Sequence, residues 1–203
     1  MYNSDIHRRK SIRLKHHDYS LAGAYFVTIC TKNRKCLFGE AVEGEMHLNE
    51  IGEMVQTVWE ELPEYYSGIG IDVFQIMPNH VHGIIILNHE ISGVGAGPCA
   101  CPFLGQPRGV APTMSLPDVV HRFKSLTTNR FRQIIKNYNC PLFPGQKFWQ
   151  RNYYEHIVRN EKKLNLIREY IQHNPLQWHL DRENPLRTGG MEFLEDEIFG
   201  NTI

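Results

Sequence analysis

Two histidines stand two residues apart at the head of an apolar run, Met77-Pro78-Asn79-His80-Val81-His82-Gly83-Ile84-Ile85-Ile86-Leu87. In a strand, residues i and i+2 point to one face. The spacing predicts that His80 and His82 project side by side while Val81 faces a core. Two imidazoles on one face make half of a divalent-metal site. Far downstream, Glu169-Tyr170-Ile171-Gln172-His173-Asn174-Pro175 closes a helical pattern. A helix puts Tyr170 and Asn174 one turn apart. Two histidines, a tyrosine and an amide one turn beyond it suit metal-assisted attack by a tyrosine on a phosphodiester.

Each part also has a plainer explanation. A lone His-x-His on an apolar strand is more often structural than a metal site. Here both histidines follow a turn, which places them at a strand end open to solvent and ligands. Asn174 offers a third ligand from a different element. Two imidazoles and an amide oxygen leave positions open for phosphate oxygens on Mg²⁺ or Mn²⁺. No obvious cysteine partner completes a closed zinc site. Tyr170 falls about 60° from Ile167 on a helical wheel, at the flank of the apolar stripe. There packing anchors the ring and the hydroxyl can reach out. At a pKa of about 10, roughly one free tyrosine in a thousand is ionised at neutral pH, so attack needs the Lewis acid. Tyr153 and Tyr154 compete as nucleophiles, but the residues four further on, Ile157 and Val158, offer no ligand.

The elements that must position these residues are legible. Ala24 to Thr31 reads as a strand, with short strands near Cys36 to Phe38 and Glu45 to Leu48. Asn49 caps a helix to about Leu62, where Pro63 helps stop it. Ile71 to Met77 and His80 to Leu87 form a hairpin around Pro78-Asn79. Ser115 caps a helix to about Asn137. Phe148 to Arg151 suggests a short strand, and Asn160 caps the last helix, which Pro175 ends. This order fits an α+β fold, a small antiparallel sheet with helices on one face and the other face free for a ligand. Three regions follow: a basic arm over residues 1–20, a domain over 21–180 with a long Gly- and Pro-rich loop at 88–114, and an acidic tail at 181–203.

The 203 residues carry 22 basic and 22 acidic side chains, a net charge of zero, but the charges are segregated. Arg8, Arg9, Lys10 and Arg13 mark the arm. Arg122, Lys124, Arg130 and Arg132 lie on one helix, and Arg151 lies beyond it. These are the candidate nucleic-acid contacts. Eight glutamates and no Lys or Arg lie between Glu40 and Glu64. No run suits a membrane span and the polar start is no signal peptide. The five cysteines are odd in number, which reads as free thiols in a reducing cytoplasm.

Five motifs in order carry a resemblance. They are Asp18-Tyr19 before Gly23-Ala24-Tyr25-Phe26-Val27-Thr28, then Met77 to His82, Arg122-Phe123-Lys124-Ser125, Phe148 to His156, and Tyr170 to Pro175. Over about residues 11 to 180 the chain resembles the single-tyrosine HUH transposases, above all the REP-associated tyrosine transposases. The resemblance implies a ferredoxin-like α+β sheet, a metal held by His80 and His82 with Asn174 completing the shell, and Tyr170 as nucleophile. The product would be a 5′-phosphotyrosine link to single-stranded DNA and a free 3′-hydroxyl. Many insertion-sequence members have glutamine where Asn174 stands. The family acts on DNA hairpins and many members act as dimers, so a homodimer is one expectation. Two other readings stand beside it: a DNA-hairpin-binding module without catalysis, and a hydrolase in which the histidines activate water and Tyr170 is structural.

Overall fold

The computed structural model describes residues 14, 17–88, 114–137, 147–187 and 199. Most of the arm, including Arg8, Arg9, Lys10 and Arg13, most of the 88–114 loop and most of the acidic tail lie outside the described residues.

β-Branched and aromatic residues make β1 (Gly23–Cys30), and a two-stranded ribbon follows, β2 (Gly39–Val42) and β3 (Glu45–Leu48). Helix α1 (Glu50–Tyr65) starts where the Asn49 side chain accepts from the Ile51 and Gly52 amides at 3.0 Å. It runs past Pro63, so the expected stop near Leu62 comes one turn late. A proline in the last turn loses a single backbone donor. The hairpin is β4 (Ile69–Ile76) and β5 (His80–Leu87); α2 (Leu116–Asn137), β6 (Tyr154–Val158) and α3 (Glu161–His173) complete the order. The strand expected at Phe148 to Arg151 is reduced to a bridge between Thr31 and Trp149. The strand itself forms at β6.

The four long strands make one antiparallel sheet in the order β4-β5-β1-β6. With α1 and α2 this is a β-α-β-β-α-β unit of the ferredoxin-like kind, as expected. One face carries Tyr25, Val27, Ile29, Val81 and Ile85, packed under Val55, Trp59 and Leu62 of α1 and Val120 and Phe123 of α2. Gly83 belongs to this face. A Cβ there would strike the Trp59 indole and meet the Phe74 Cβ at 3.1 Å. Gly83→Ala is therefore expected to cost about 1–3 kcal/mol, the usual range for overpacking. An unchanged denaturation midpoint would contradict this packing.

The second face is not free along its length, contrary to the sequence expectation. Helix α3 lies on it through Ile167 and Ile171 against Phe26 and Ile84. A bulge in β4 between Ile71 and Phe74 returns both residues to the α1 side. At the bulge, Asp72 meets the Arg168 guanidinium, with Nη2 to Oδ2 at 2.6 Å and Nε to Oδ1 at 3.1 Å. This fork ties α3 to the sheet. It also holds the Asp72 carboxyl below the usual carboxylate range, chiefly through the Arg168 hydrogen bond.

Candidate metal centre and tyrosine site

β5 delivers both histidines to the α3 face, with ring centroids 4.3 Å apart. His80 is fully buried and His82 is 3 % exposed. The strand end is thus covered rather than open. After α3 the chain makes a 3-10 helix, Pro175–Leu180, and its next residues fold over the histidines, with the Trp178 ring 6.1 Å from His80. A boundary at 180/181 falls inside this strap. Asp181 and Glu183 are buried parts of the domain, not the start of a tail.

Each imidazole is held by its Nδ1. The Asn79 amide nitrogen donates to the Arg34 carbonyl at 3.1 Å and the Glu183 carbonyl at 2.8 Å. That fixes the amide orientation, so Asn79 Oδ1 is the atom 2.8 Å from His80 Nδ1. An amide oxygen only accepts. His80 Nδ1 therefore carries the proton and Nε2 keeps its lone pair. Thr28 Oγ1 lies 2.9 Å from His82 Nδ1, from the paired position on β1. Burial first, and His82 second, push the His80 pKa down to about 3, so its ring is neutral at ordinary pH.

Asp181 Oδ2 lies 3.7 Å from His80 Nε2 and 3.9 Å from His82 Nε2. These separations exceed hydrogen-bond length, and all three atoms are buried without a hydrogen-bond partner. Buried polar atoms are normally partnered. Three such orphans within 4.8 Å of one another fit a cation. Metal–ligand bonds of about 2.0–2.2 Å allow two ligand atoms on one ion to stand up to roughly 4.2 Å apart. The other Asp181 oxygen accepts from the Glu183 amide at 2.6 Å. Burial alone would raise the Asp181 carboxyl, but the neighbouring imidazoles and that amide outweigh it and hold it low. Two imidazoles and a carboxylate suit a divalent first-row ion or magnesium. Cys30, on the same face, donates from Sγ to Glu183 Oε2 at 3.4 Å, and burial and then the Glu183 carboxylate push its thiol up.

Tyr170, on α3, is half-buried. Its ring stands 5.4 Å from His82 and 6.1 Å from Phe26, and Phe199 packs on it at 5.5 Å. The structure thus brings Tyr170 and the histidines together within one chain. Tyr154 shares the face, 6.3 Å from Phe26. Asn174 ends α3, 1 % exposed, with both amide atoms lacking partners.

The basic residues of α2 sit on the other layer. Lys124 is spent on structure: its ammonium donates to the carbonyls of Gln150 at 3.0 Å, Asn152 at 3.1 Å and Arg151 at 3.4 Å. Burial lowers its pKa to about 8. Arg130 pairs with Glu61 at 2.6 Å. Arg122 and Arg151 are exposed, the former 6.0 Å from the Tyr66 ring. Sequence reasoning missed Asp181, Asn79, Thr28 and Glu183. Asn79 alone had a local signal, its place beside His80.

Residues 109–174 match the model of the family "Transposase IS200 like". The matched segment contains Tyr170 and ends at Asn174, leaving the two histidines upstream. The chain is also 43 % identical over 182 residues to an uncharacterized protein of Haemophilus influenzae, across 89 % of this chain and 96 % of that one. Over residues 109–174 the chain is thus similar to the IS200-like transposases. Two solved structures are similar to this chain at lower identity. One is a REP-associated tyrosine transposase bound to a REP hairpin, at 17 % identity, covering 82 % of this chain and 74 % of that one, with a TM-score of 0.49. The other is a putative transposase from Deinococcus radiodurans, at 18 % identity, 79 % and 98 % coverage, and a TM-score of 0.42. No helix among the described residues is long and apolar enough to cross a membrane.

Proposed function

We propose that the protein nicks and rejoins single-stranded DNA at hairpins through a covalent tyrosine intermediate, in the manner of the REP-associated branch. The observation that carries this reading is the Tyr170 ring 5.4 Å from His82, beside the buried group of His80, His82 and Asp181. A divalent ion, Mg²⁺ or Mn²⁺, would supply Lewis-acid stabilisation of charge on the scissile phosphate. His80 and His82 would hold it, with Asn174 as the ligand the sequence resemblance assigns.

The chain's own residues do the rest. Asn79 keeps the His80 Nε2 lone pair free. The Asp72–Arg168 fork and the Ile167–Ile171 stripe hold α3, and with it the Tyr170 ring, over the sheet. The Tyr170 oxygen attacks the phosphorus and forms a phosphodiester link to the 5′ side. The bond to the 3′ oxygen breaks, and that oxygen leaves as a 3′-hydroxyl, taking up a proton as the tyrosine loses one. Bond energy is conserved, so the 3′-hydroxyl of the same or another strand can reverse the step. Arg122 and Arg151 are free to meet phosphate, and the arm with Arg8, Arg9, Lys10 and Arg13 is proposed to join them. Lys124 and Arg130 have intramolecular partners and are left a smaller share.

The test is product analysis. Labelled single-stranded hairpin DNA is incubated with the protein and Mn²⁺ and run on a denaturing gel. Label at the 3′ end is expected to shift to a protein-linked band. A free 5′-phosphate with no adduct would mark a hydrolase, and binding with no cleavage a binding module.

A further inference from the structure

We propose that Asp181 is a protein ligand of the ion, delivered from outside the helix that carries Tyr170, and that Asn79 is the positioning residue that couples the two. The inference rests on the metal site of the proposed function and deepens it. It makes the ion a staple between the sheet and the segment that follows α3.

Four observations carry it. First, the three atoms His80 Nε2, His82 Nε2 and Asp181 Oδ2 form one buried group with every ligand atom within 4.8 Å of the others. Second, none of the three has a hydrogen-bond partner, and the Asp181 side chain is 2 % exposed. A buried carboxylate oxygen facing the His80 lone pair and a second imidazole nitrogen, with no partner for any of them, is a costly arrangement unless a cation lies between them. Third, the other Asp181 oxygen is held by the Glu183 amide at 2.6 Å, which aims Oδ2 inward. Fourth, the strap is pinned independently of any ion. Asn79 donates to the Glu183 carbonyl at 2.8 Å, and Glu183 Oε2 accepts from Arg34 Nε at 2.8 Å and from Cys30 Sγ at 3.4 Å.

Asn79 thus has two jobs in one side chain. Its oxygen sets the His80 tautomer; its nitrogen holds the backbone that brings Asp181. Outer-shell partners of this kind typically contribute about 10–100-fold to metal affinity. A carboxylate adds a negative charge that two imidazoles and an amide lack, and it favours hard ions such as Mg²⁺ and Mn²⁺.

The experiment is calorimetric titration of the full chain with MnCl₂, without DNA, for wild type, Asp181→Asn and Asn79→Ala. Hydrogen exchange of residues 175–187 is followed with and without the ion. Asp181→Asn keeps the side-chain oxygen that the Glu183 amide needs and removes the charge. It is expected to weaken Mn²⁺ binding at least about tenfold while the ion-free melting temperature holds or rises. A merely structural aspartate would instead lower that temperature. In wild type, Mn²⁺ is expected to protect amides of the strap. Mn²⁺ affinity of Asp181→Asn within twofold of wild type overturns the proposal, as does unchanged exchange in wild type should the variant not fold. Wild type that binds no Mn²⁺ would overturn this inference and the metal site together. Wild type that binds Mn²⁺ through Asp181 but yields no DNA adduct would leave this inference standing and overturn the proposed reaction.

Discussion

Tyr170→Phe is expected to yield no covalent protein–DNA product at all, while hairpin binding stays within about twofold. The substitution removes one oxygen and keeps the ring. That ring packs edge-on to Phe26 at 6.1 Å, near His82 at 5.4 Å and against Phe199 at 5.5 Å. The packing stripe of α3, Ile167 and Ile171, is untouched. A phenyl ring has no nucleophile, so the loss is absolute rather than graded. Gel detection of the adduct with a 3′-labelled strand reads one half, and filter binding reads the other. An adduct formed by Tyr170→Phe, or lost only in Tyr154→Phe, would move the nucleophile to the neighbouring strand β6.

The second large effect concerns the imidazoles. His80→Ala and His82→Ala are each expected to lower Mn²⁺-dependent cleavage by more than about a hundredfold, since even outer-shell partners contribute up to that much. Asn174→Ala is expected to be milder, because an amide is a weaker ligand for a first-row ion than an imidazole. Both imidazoles are buried, and each is anchored by a separate hydrogen bond, to Asn79 and to Thr28. Each single variant therefore removes one ligand and leaves the other oriented. Unchanged Mn²⁺ affinity in the His80→Ala, His82→Ala double variant would remove the metal site from the account.

Local rules are plain in the chain. β5 has the bounds its apolar run predicts, His80–Leu87, and Asn49 and Asn160 cap their helices as read. The period of two in β5 is enough to put His80 and His82 on one face. β6 was hidden because both of its faces are half-buried, so Tyr154 to Val158 shows no polar–apolar alternation. Helix α3 reads as amphipathic in sequence, but the side of the sheet it takes is a tertiary fact. It follows from Phe26 and Ile84, apolar residues on the histidine side of their strands. Asp181 had no local signal either. It reaches the histidines because Pro175 starts a 3-10 helix and Asn79, more than a hundred positions earlier in the chain, fixes the Glu183 carbonyl. Charge segregation was legible, whereas the use of Lys124 to bind three backbone carbonyls was not.

Peptide mapping shows whether Tyr170 becomes the 5′-linked nucleotide carrier. The protein is incubated with hairpin DNA and Mn²⁺, the DNA is trimmed by nuclease, and the tryptic digest is read by mass spectrometry. Tyr170 is the single tyrosine between Arg168 and Arg182, whereas Tyr153 and Tyr154 fall between Arg151 and Arg159. A phosphonucleotide is expected on the peptide Glu169 to Arg182, at Tyr170. Modification of the peptide with Tyr153 and Tyr154, or cleaved DNA with a free 5′-phosphate and no modified peptide, would contradict it.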